Sequence, residues 1–324
     1  MRIDVHAEVF PLAQAFTISR GSRSEARVVS VVVTDGPFAG RGECVPYARY
    51  GETIDSVTAQ ISALDPAIDR AQLQYALPAG AARNAVDCAL WDLEAKRSGQ
   101  PVWRLAGLSE PVPLVTAYTL SLDAPATMRT QAALHRERPL LKIKLGTPQD
   151  LSRLEAVRAG APDPDIIVDA NEGWSVESYS ALVPHLLRLG VILVEQPLPA
   201  GHDQALTGLN RPVPVCADES CHDRSSLPEL AGKYDAVNIK LDKTGGLTEA
   251  LLLKKAAEQA GFGIMVGCMV GSSLGIAPAV LVGQGAQVVD LDGPLLLAKD
   301  RNPALRFDAR RVFPPQPRLW GHTT

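Results

Sequence analysis

Several features that identify common protein classes are missing from this chain. Its five cysteines include no CxxC pair, so neither a zinc knuckle nor a disulfide framework is indicated, and reduced thiols in a cytoplasmic protein are expected. The six histidines form no HxH or HExxH pattern, which argues against a histidine-based metal site. No GxGxxG follows a first strand and no Walker A motif occurs. Rossmann and P-loop folds are therefore not predicted.

Strong charge of one sign is missing as well. The formal net charge is −4 and the basic residues are scattered singly, which leaves no stripe for nucleic acid and no polybasic cluster for a membrane. Asp4 and Glu8 interrupt the apolar core that an export signal would need. A small-molecule partner is expected, and the chain is compatible with a homo-oligomer.

One long stretch without charge imitates a membrane span. Residues 259–289 carry no charged side chain, but Gly, Ser, Gln and Pro278 interrupt the segment repeatedly. A bilayer crossing requires about 20 predominantly apolar residues. Two buried strands with a helix between them explain this segment better than a membrane helix.

A repeated pattern begins at about residue 113. Eight short apolar runs alternate with helical patterns at a period of about 25 residues, the spacing of repeated βα units. The runs are VPLVTAYTL, LLKIKLG, DIIVDAN, VILVEQP, VPVCADES, AVNIKLD, GIMVGCM and VVDLDGP. Eight such units close more naturally into a barrel than into an open sheet. We predict an α/β fold whose barrel spans residues 106–299.

The first 105 residues differ from the rest. Alternating strands such as ARVVSVVVTDG precede a Gly- and Tyr-rich loop and then helices that include AARNAVDCALWDLEAKRSG. This pattern is typical of a separate α+β domain. The segment 300–324, which contains ALRFDARRVF, is predicted to complete that domain with a last strand.

Five charged residues close five consecutive apolar runs of the barrel. In chain order they are Lys144, Asp169, Glu195, Asp218 and Lys240. An unpaired buried ion is strongly unfavourable, and the carboxyl ends of barrel strands open onto one mouth. The series therefore indicates one shared site.

The three acids of this series can converge on one cation. Three carboxylates with no His or Cys nearby suit a hard octahedral ion, Mg²⁺ before Mn²⁺ and well before Zn²⁺. Each acid taken alone could instead be a loop or cap residue. Three acids at matching strand ends make a shared ion the better interpretation.

The two lysines belong to the second and sixth strands and should lie on opposite sides of that ion. A lysine acts as a base when burial and positive neighbours lower its pKa toward about 7 to 8. Two such lysines beside a metal-bound carboxylate would remove and return a proton at the adjacent carbon, which inverts it. They could also be solvated charges or partners of the acids. Lys243 is predicted to be a solvated loop charge.

These motifs resemble the enolase superfamily, in particular its muconate-lactonising subgroup and the dipeptide epimerases within it. The resemblance rests on the ordered set KIK, VDAN, VEQP, ADES and NIKLDKTGG, together with RGSRSEARVV, GECVPYARYGE and LPAGAARNAVDCALWDL. It covers essentially the whole chain. It implies a modified (β/α)7β TIM-like barrel with an N-terminal capping domain. It also implies a Mg²⁺-dependent epimerase that acts through an enediolate on L-Ala-D/L-Glu in murein peptide recycling.

The resemblance also implies roles for individual residues. The expected catalytic residues are Lys144 and Lys240, the metal ligands Asp169, Glu195 and Asp218, and the substrate-binding residues Lys142, Asp290, Asp292, Arg20, Cys268 and Met269. Asp290 and Asp292 would hold the substrate's α-ammonium group, and Lys142 would assist electrostatically. Arg20 would bind the glutamate side chain, with Arg23 as the alternative.

Several alternatives stay open at this point. Asp292 precedes Gly293 and could serve only as a capping or turn residue. Tyr47, Tyr50 and Glu52 belong to a second loop that could close over a substrate, or they could simply pack. A lactonising enzyme or an o-succinylbenzoate synthase would share the metal and lysines without needing the acidic pair. A barrel that binds a ligand without catalysis is the remaining possibility.

Overall fold

The computed structural model describes residues 1–322. An antiparallel sheet of three strands opens the chain in the order β1 (Arg2–Ile18), β2 (Gly21–Asp35) and β3 (Phe38–Cys44). Alternate residues of β2, among them Val29, Val31 and Val33, are fully buried. These valines lie on one face of the sheet, and Val28 and Ser30 of the opposite face are buried as well, so the middle of β2 is covered on both sides.

Helices cover the face of the sheet that carries Val29. They are α1 (Ile54–Ser62), α2 (Arg70–Ala76) and α3 (Ala81–Ser98), with a 3-10 turn at Ala48–Tyr50. The short helix α4 (Val102–Leu105) follows α3, and its Val102 belongs to the core of the second part of the chain. Helix α3 crosses β3 at very short range, because a Cβ added at Gly42 would lie only 2.0 Å from the carbonyl oxygen of Ala85. Glycine is therefore required there for the helix to reach the sheet.

A sheet of eight parallel strands follows in the second part of the chain. After β4 (Leu114–Val115), its strands are β5 (Tyr118–Leu120), β6 (Leu140–Lys144), β7 (Asp165–Asp169), β8 (Val191–Glu195), β9 (Val215–Ala217), β10 (Ala236–Ile239), β11 (Gly263–Gly267) and β12 (Val288–Asp290). Each strand pairs with the next in sequence, and the backbone N–H of Ala117 donates to Val289 O at 2.8 Å. This last bond joins the two end strands, so the sheet is a nearly closed barrel, as predicted.

Helices connect most of the barrel strands. They are α5 (Pro125–Leu134), α6 (Asp150–Gly160), α7 (Val176–Arg188), α8 (Leu227–Leu230), α9 (Leu241–Thr244), α10 (Leu247–Gln259) and α11 (Ser273–Val282). Further 3-10 turns occur at Gln204–Gly208, Arg224–Ser226 and Gly293–Leu296. The charge-free segment 259–289 forms β11, α11 and the start of β12, as expected. No helix within residues 1–322 combines the length and apolar character needed to cross a membrane.

The C-terminal segment corrects one expectation. Its strand forms at Arg311–Val312 (β13), but it pairs antiparallel with β4 instead of joining the N-terminal sheet. The segment nevertheless contacts α3, because Trp320 Nε1 donates to Cys88 O at 3.0 Å. The domain boundary at residue 105 stays a prediction, and residues 323 and 324 of the predicted last segment lie outside the described residues.

Candidate active site

The strand pattern of the barrel explains why charges meet at one end. Alternate residues of a strand point to the same face. One inward residue per strand forms an apolar layer in the barrel: Ala117, Leu140, Ile167, Leu193, Cys216, Ala236, Met265 and Val288. Two positions later on six of these strands stand Lys142, Asp169, Glu195, Asp218, Asn238 and Asp290. The polar layer therefore lies directly above the apolar one, with Cys216 as buried filler.

The three predicted acids come together on neighbouring strands. Asp169, Glu195 and Asp218 each offer a carboxylate oxygen within 4.8 Å of the other two. Asp169 pairs with Glu195 in the sheet register, and all three side chains are buried. One ion could therefore contact an oxygen from each of them.

Glu195 has the properties of a ligand for a cation. Its Oε1 accepts from Asn238 Nδ2 at 2.7 Å, whereas its buried Oε2 accepts no hydrogen bond and only lies 2.6 Å from Lys142 Nζ. Burial and then Asp169 raise the pKa of Glu195 to about 7. A divalent cation would relieve the repulsion between the acids and would add a ligand contact to Oε2, whose one close partner here is the Lys142 ammonium group. The residues present thus fit a hard divalent ion.

Lys144 and Lys240 contact opposite members of the acid group. Lys144 Nζ lies 2.6 Å from Asp169 Oδ2, and Lys240 Nζ lies 2.6 Å from Asp218 Oδ2. Their strands, β6 and β10, are four positions apart in an eight-stranded barrel. The two amines therefore enter the site from opposite walls, with the acids between them.

The expected lowering of a lysine pKa does not come from the protein groups alone. Burial by itself would lower the pKa of Lys240, but Asp218 and Glu195 together raise it well above its ordinary value. Burial would also lower the pKa of Lys142, but the nearby acids, Asp290 most strongly, raise it well above its ordinary value. Both lysines are therefore ammonium ions in the free chain.

A second acidic pair lies at the end of β12. Asp290 Oδ2 accepts from Lys142 Nζ at 2.8 Å, and Asp292 Oδ2 accepts from the backbone N–H of Thr119 at 2.6 Å. The side chain of Asp292 does not cap the turn that follows it. Burial and the neighbouring Asp290 raise the pKa of Asp292 to about 7. An added positive charge at this pair would be stabilised.

The two candidate arginines have different surroundings. Arg20 donates to Glu172 at 3.1 Å, to Glu219 at 2.7 Å and to Tyr47 Oη at 3.0 Å, so protein groups already occupy its guanidinium. Arg23 forms no ion pair with a carboxylate of the described residues and lies 5.7 Å from the Tyr47 ring centroid. Arg23 is thus the arginine with more donors left for a ligand.

Most of the predicted site residues line one cavity, whose volume is about 610 Å³ when its open mouth is included. Lining it are Arg20, Arg23, Tyr47, Tyr50, Lys142, Lys144, Asp218, Lys240, Cys268, Met269, Asp290 and Asp292. Asp169 and Glu195 are buried against the lysines that line it. Glu52 does not line the cavity, because its carboxylate accepts from the backbone N–H groups of Tyr47 and Ala81 and so braces the loop.

Sequence reasoning was wrong about Lys243 and missed other residues. Lys243 was expected to be a solvated loop charge, yet its side chain is completely buried and contacts Asp218 Oδ1 at 2.6 Å. No local signal marked Lys243, because the backbone of Lys240 is still extended and the helix begins only at Leu241. Glu219, which follows Asp218, and Asn171, which follows β7, also line the cavity. Neither stood out among ordinary loop residues.

Family descriptions match nearly the whole chain. Residues 2–107 match "Mandelate racemase / muconate lactonizing enzyme, N-terminal domain" and residues 127–294 match "Enolase C-terminal domain-like". The L-Ala-D/L-Glu epimerase of Escherichia coli (strain K12) is 48% identical over 94% of this chain and 97% of that protein. The N-acetyl-D-glutamate racemase of Pseudoalteromonas sp is 47% identical over 91% and 95%.

Solved structures agree with these matches. An enolase family member from Agrobacterium tumefaciens with homology to dipeptide epimerases, with bound sodium and L-Ala-L-Glu, is 54% identical with a TM-score of 0.97, covering 98% of this chain and 99% of that one. The dipeptide epimerase of Enterococcus faecalis V583, complexed with Mg and L-Leu-L-Tyr, is 27% identical with a TM-score of 0.90, covering 99% and 98%. The chain therefore belongs to the enolase superfamily, within the mandelate racemase and muconate lactonizing enzyme family.

Proposed function

We propose that this chain is a Mg²⁺-dependent isomerase that epimerises the C-terminal residue of L-Ala-D/L-Glu. The observation that carries the proposal is the pair Lys144 and Lys240, which stand on opposite walls of one cavity with three carboxylates between them. A planar carbon held between the two amines can lose a proton to one and receive a proton from the other. That sequence inverts the carbon.

The lysines exchange roles with the direction of the reaction. One amine in its neutral form takes the α-proton and becomes an ammonium ion. The negative charge passes into the substrate carboxylate, which becomes an enediolate, and the opposite ammonium group donates a proton to the other face of the carbon. Lys142, which contacts Asp169, Glu195 and Asp290, adds a fixed positive charge beside the site.

Asp169, Glu195 and Asp218 would hold Mg²⁺, or Mn²⁺ in its place. The bound ion would supply a positive charge next to the substrate carboxylate, which stabilises the developing negative charge and favours a neutral lysine. The related Enterococcus faecalis epimerase complexed with Mg supports this choice.

Two groups would fix the ends of the dipeptide. Asp290 and Asp292 suit a free α-ammonium group, because they are buried carboxylates at the edge of the cavity. Arg23 suits the glutamate side chain, because it lines the same cavity without an acidic partner there. We therefore prefer Arg23 to Arg20, whose two terminal nitrogens already donate to protein groups.

The proposal also covers the remaining residues of the cavity, the cellular location and the oligomeric state. Cys268 and Met269 line the cavity between Lys240 and the acidic pair and would contact the peptide backbone, while Tyr47 and Tyr50 would exclude water. The five free cysteines support a cytoplasmic enzyme, and a role in murein peptide recycling would supply this substrate. Assembly into a homo-oligomer remains part of the prediction.

One competing substrate has specific support. The related Pseudoalteromonas racemase is named for N-acetyl-D-glutamate, whose amide carries no positive charge. The pair Asp290 and Asp292 favours a cation over a neutral amide, because burial and the neighbouring Asp290 raise the pKa of Asp292 even though Lys142 contacts Asp290. A lyase of the same superfamily would not need this pair.

Solvent deuterium exchange tests the proposal directly. With Mg²⁺ in D₂O, L-Ala-L-Glu should lose its α-proton signal and give L-Ala-D-Glu, whereas N-acetylglutamate should react at least tenfold more slowly. Lys144→Ala and Lys240→Ala should each lower epimerisation by about 10³-fold. Each should still bind the metal, and the exposed Lys255→Ala should react like the unmodified chain. Dehydration or ring closure without an epimer, or unchanged turnover in both lysine variants, would defeat the proposal.

A further inference from the structure

Lys243 lies in the short helix α9 and differs from the other lysines of the site. Lys142, Lys144 and Lys240 line the cavity, whereas Lys243 does not. Its side chain is 0% exposed. A substrate in the cavity therefore cannot reach this amine, and a direct catalytic role is excluded.

Protein oxygens use every donor of Lys243. Its Nζ lies 2.6 Å from Asp218 Oδ1, 2.6 Å from Asp218 O and 2.9 Å from Asn238 O. An ammonium group has three N–H donors, so none is left for another partner. Two of the three contacts go to the same residue, which fixes Asp218 through both its side chain and its backbone.

The remaining contacts of Asp218 leave one oxygen for the cavity. Its backbone N–H donates to Gln196 Oε1 at 2.8 Å, and its Oδ2 accepts from Lys240 Nζ at 2.6 Å. Rotation of the carboxylate would break the contact between Oδ1 and Lys243. The contact with Lys243, on the side of Asp218 that faces away from the cavity, thus fixes the orientation of the carboxylate.

We propose that Lys243 is a positioning residue that commits Oδ1 of Asp218 to the protein, so that Asp218 presents only Oδ2 to a metal ion and to Lys240. The inference rests on the proposed function, in which Asp218 is a metal ligand. Partners that orient a metal ligand typically change metal affinity by about 10- to 100-fold when they are removed.

The N-terminal region holds the helix that carries Lys243. Asp242 Oδ1 accepts from Val45 N at 2.9 Å and from Asn84 Nδ2 at 2.8 Å, and Arg83 Nη2 donates to Thr244 O at 2.7 Å. These bonds hold Asp242 and Thr244, the residues directly before and after Lys243 in the sequence. The N-terminal region therefore contributes to the metal site through α9, although none of its residues is proposed to bind the metal ion directly.

Calorimetric titration with Mg²⁺ or Mn²⁺ in the absence of substrate tests the inference. Lys243→Met removes the charge and all three donors while keeping the apolar stem, and its metal dissociation constant should rise about 10-fold or more. Lys96→Met is the matched control, since Lys96 Nζ also binds a buried carboxylate, Asp92 at 2.8 Å, and a carbonyl, Ala39 O at 2.7 Å. The control should lose thermal stability but keep its metal affinity within about twofold.

The outcomes separate the inference from the proposed function. If Lys243 only balanced the charge of Asp218, its ammonium group would repel the metal ion, and its removal would tighten metal binding. Tighter or unchanged metal binding in Lys243→Met therefore overturns the inference. If that variant does not fold, Lys243→Gln replaces it, and its dissociation constant should rise about threefold or more; binding equal to that of the unmodified chain overturns the inference. Failure of the unmodified chain to bind either metal would instead defeat the proposed function.

Discussion

The site has a floor and a lid that are built differently. The floor consists of residues whose side chains are at most 9% exposed. They are the strand-end residues Lys142, Lys144, Asp169, Glu195, Asp218 and Lys240, together with Lys243 of α9 behind them. The lid consists of the loops around Arg20 and Arg49, whose guanidinium side chains are 28% and 39% exposed. Both regions are rich in ion pairs, but only those of the floor are shielded from water.

This difference separates two tasks. Charges inside a dry site interact strongly and must be placed accurately, because a small displacement changes the reaction rate greatly. Charges at the rim are screened by water and salt, and each contributes less. The floor should therefore control the chemical step, and the lid should control how well a substrate is held.

Among the variants that compare the floor with the lid, crowding the floor without changing any charge should have the largest effect. A Cβ added at Gly267 would lie 2.7 Å from Asn238 Oδ1 and 3.1 Å from Lys240 Cε, so Gly267→Ala must displace both side chains. We expect kcat for L-Ala-L-Glu to fall about 100-fold, with KM changed much less. Steady-state kinetics and thermal melting measure the two effects.

Gly208→Ala provides the control for this prediction. No atom lies within 4 Å of a Cβ added at Gly208, so kcat and the melting temperature should stay close to those of the unmodified chain. Unchanged kcat in Gly267→Ala would mean that the floor tolerates displacement, and the proposed division of tasks would be wrong.

The floor was also the part that the sequence predicted best. Strand alternation decides which side chains face the barrel axis, so a charge two positions after Ile167, Leu193 or Cys216 had to reach the mouth. The barrel itself followed from the same repeated runs. Local pattern therefore determined the order of Lys144, the three acids and Lys240 around the barrel.

Features that depend on contacts between distant segments could not be predicted in this way. The position of Lys243 depends on Asp218 and Asn238 from neighbouring strands and on bonds from α3 to α9. The choice between Arg20 and Arg23 depends on Glu172 and Glu219, which lie more than 150 positions away along the chain. Likewise, no local signal revealed that β13 would pair with β4.

Removing the charge that joins the lid to the barrel should have an intermediate effect. Glu172 accepts from Arg49 Nε and Nη2 at 2.8 Å each and from Arg20 Nη1 at 3.1 Å, so it joins both lid loops to the barrel. Its backbone has a φ of 66°, which is uncommon for a non-glycine residue and often marks a functional position. Glu172→Gln should raise KM about tenfold through a looser lid, with kcat changed by less than about threefold.

A surface pair serves as the reference for this variant. Glu155 contacts Arg188 at 2.6 Å with both side chains about half exposed, and Glu155→Gln should leave both kinetic constants nearly unchanged. A fall in kcat without a change in KM for Glu172→Gln would show that the lid takes part in the chemical step, which contradicts the separation of tasks.

The smallest effect is expected where the floor meets the N-terminal region, at Asp242, which accepts from Val45 N and Asn84. Burial raises the pKa of Asp242 to about 7, from an ordinary value of 3.8. The folded chain therefore keeps a proton that the unfolded chain releases, and the resulting stability is present below about pH 4 and is lost as the pH rises toward 7.

Asp242→Asn imitates the protonated acid and keeps its acceptor oxygen. In buffer with a chelator, the fall in melting temperature between pH 5 and pH 8 should be about 2 °C smaller in this variant. An identical fall in both chains would mean that Asp242 is ionised in the fold and that its partners, Val45 N and Asn84, bind a permanent charge.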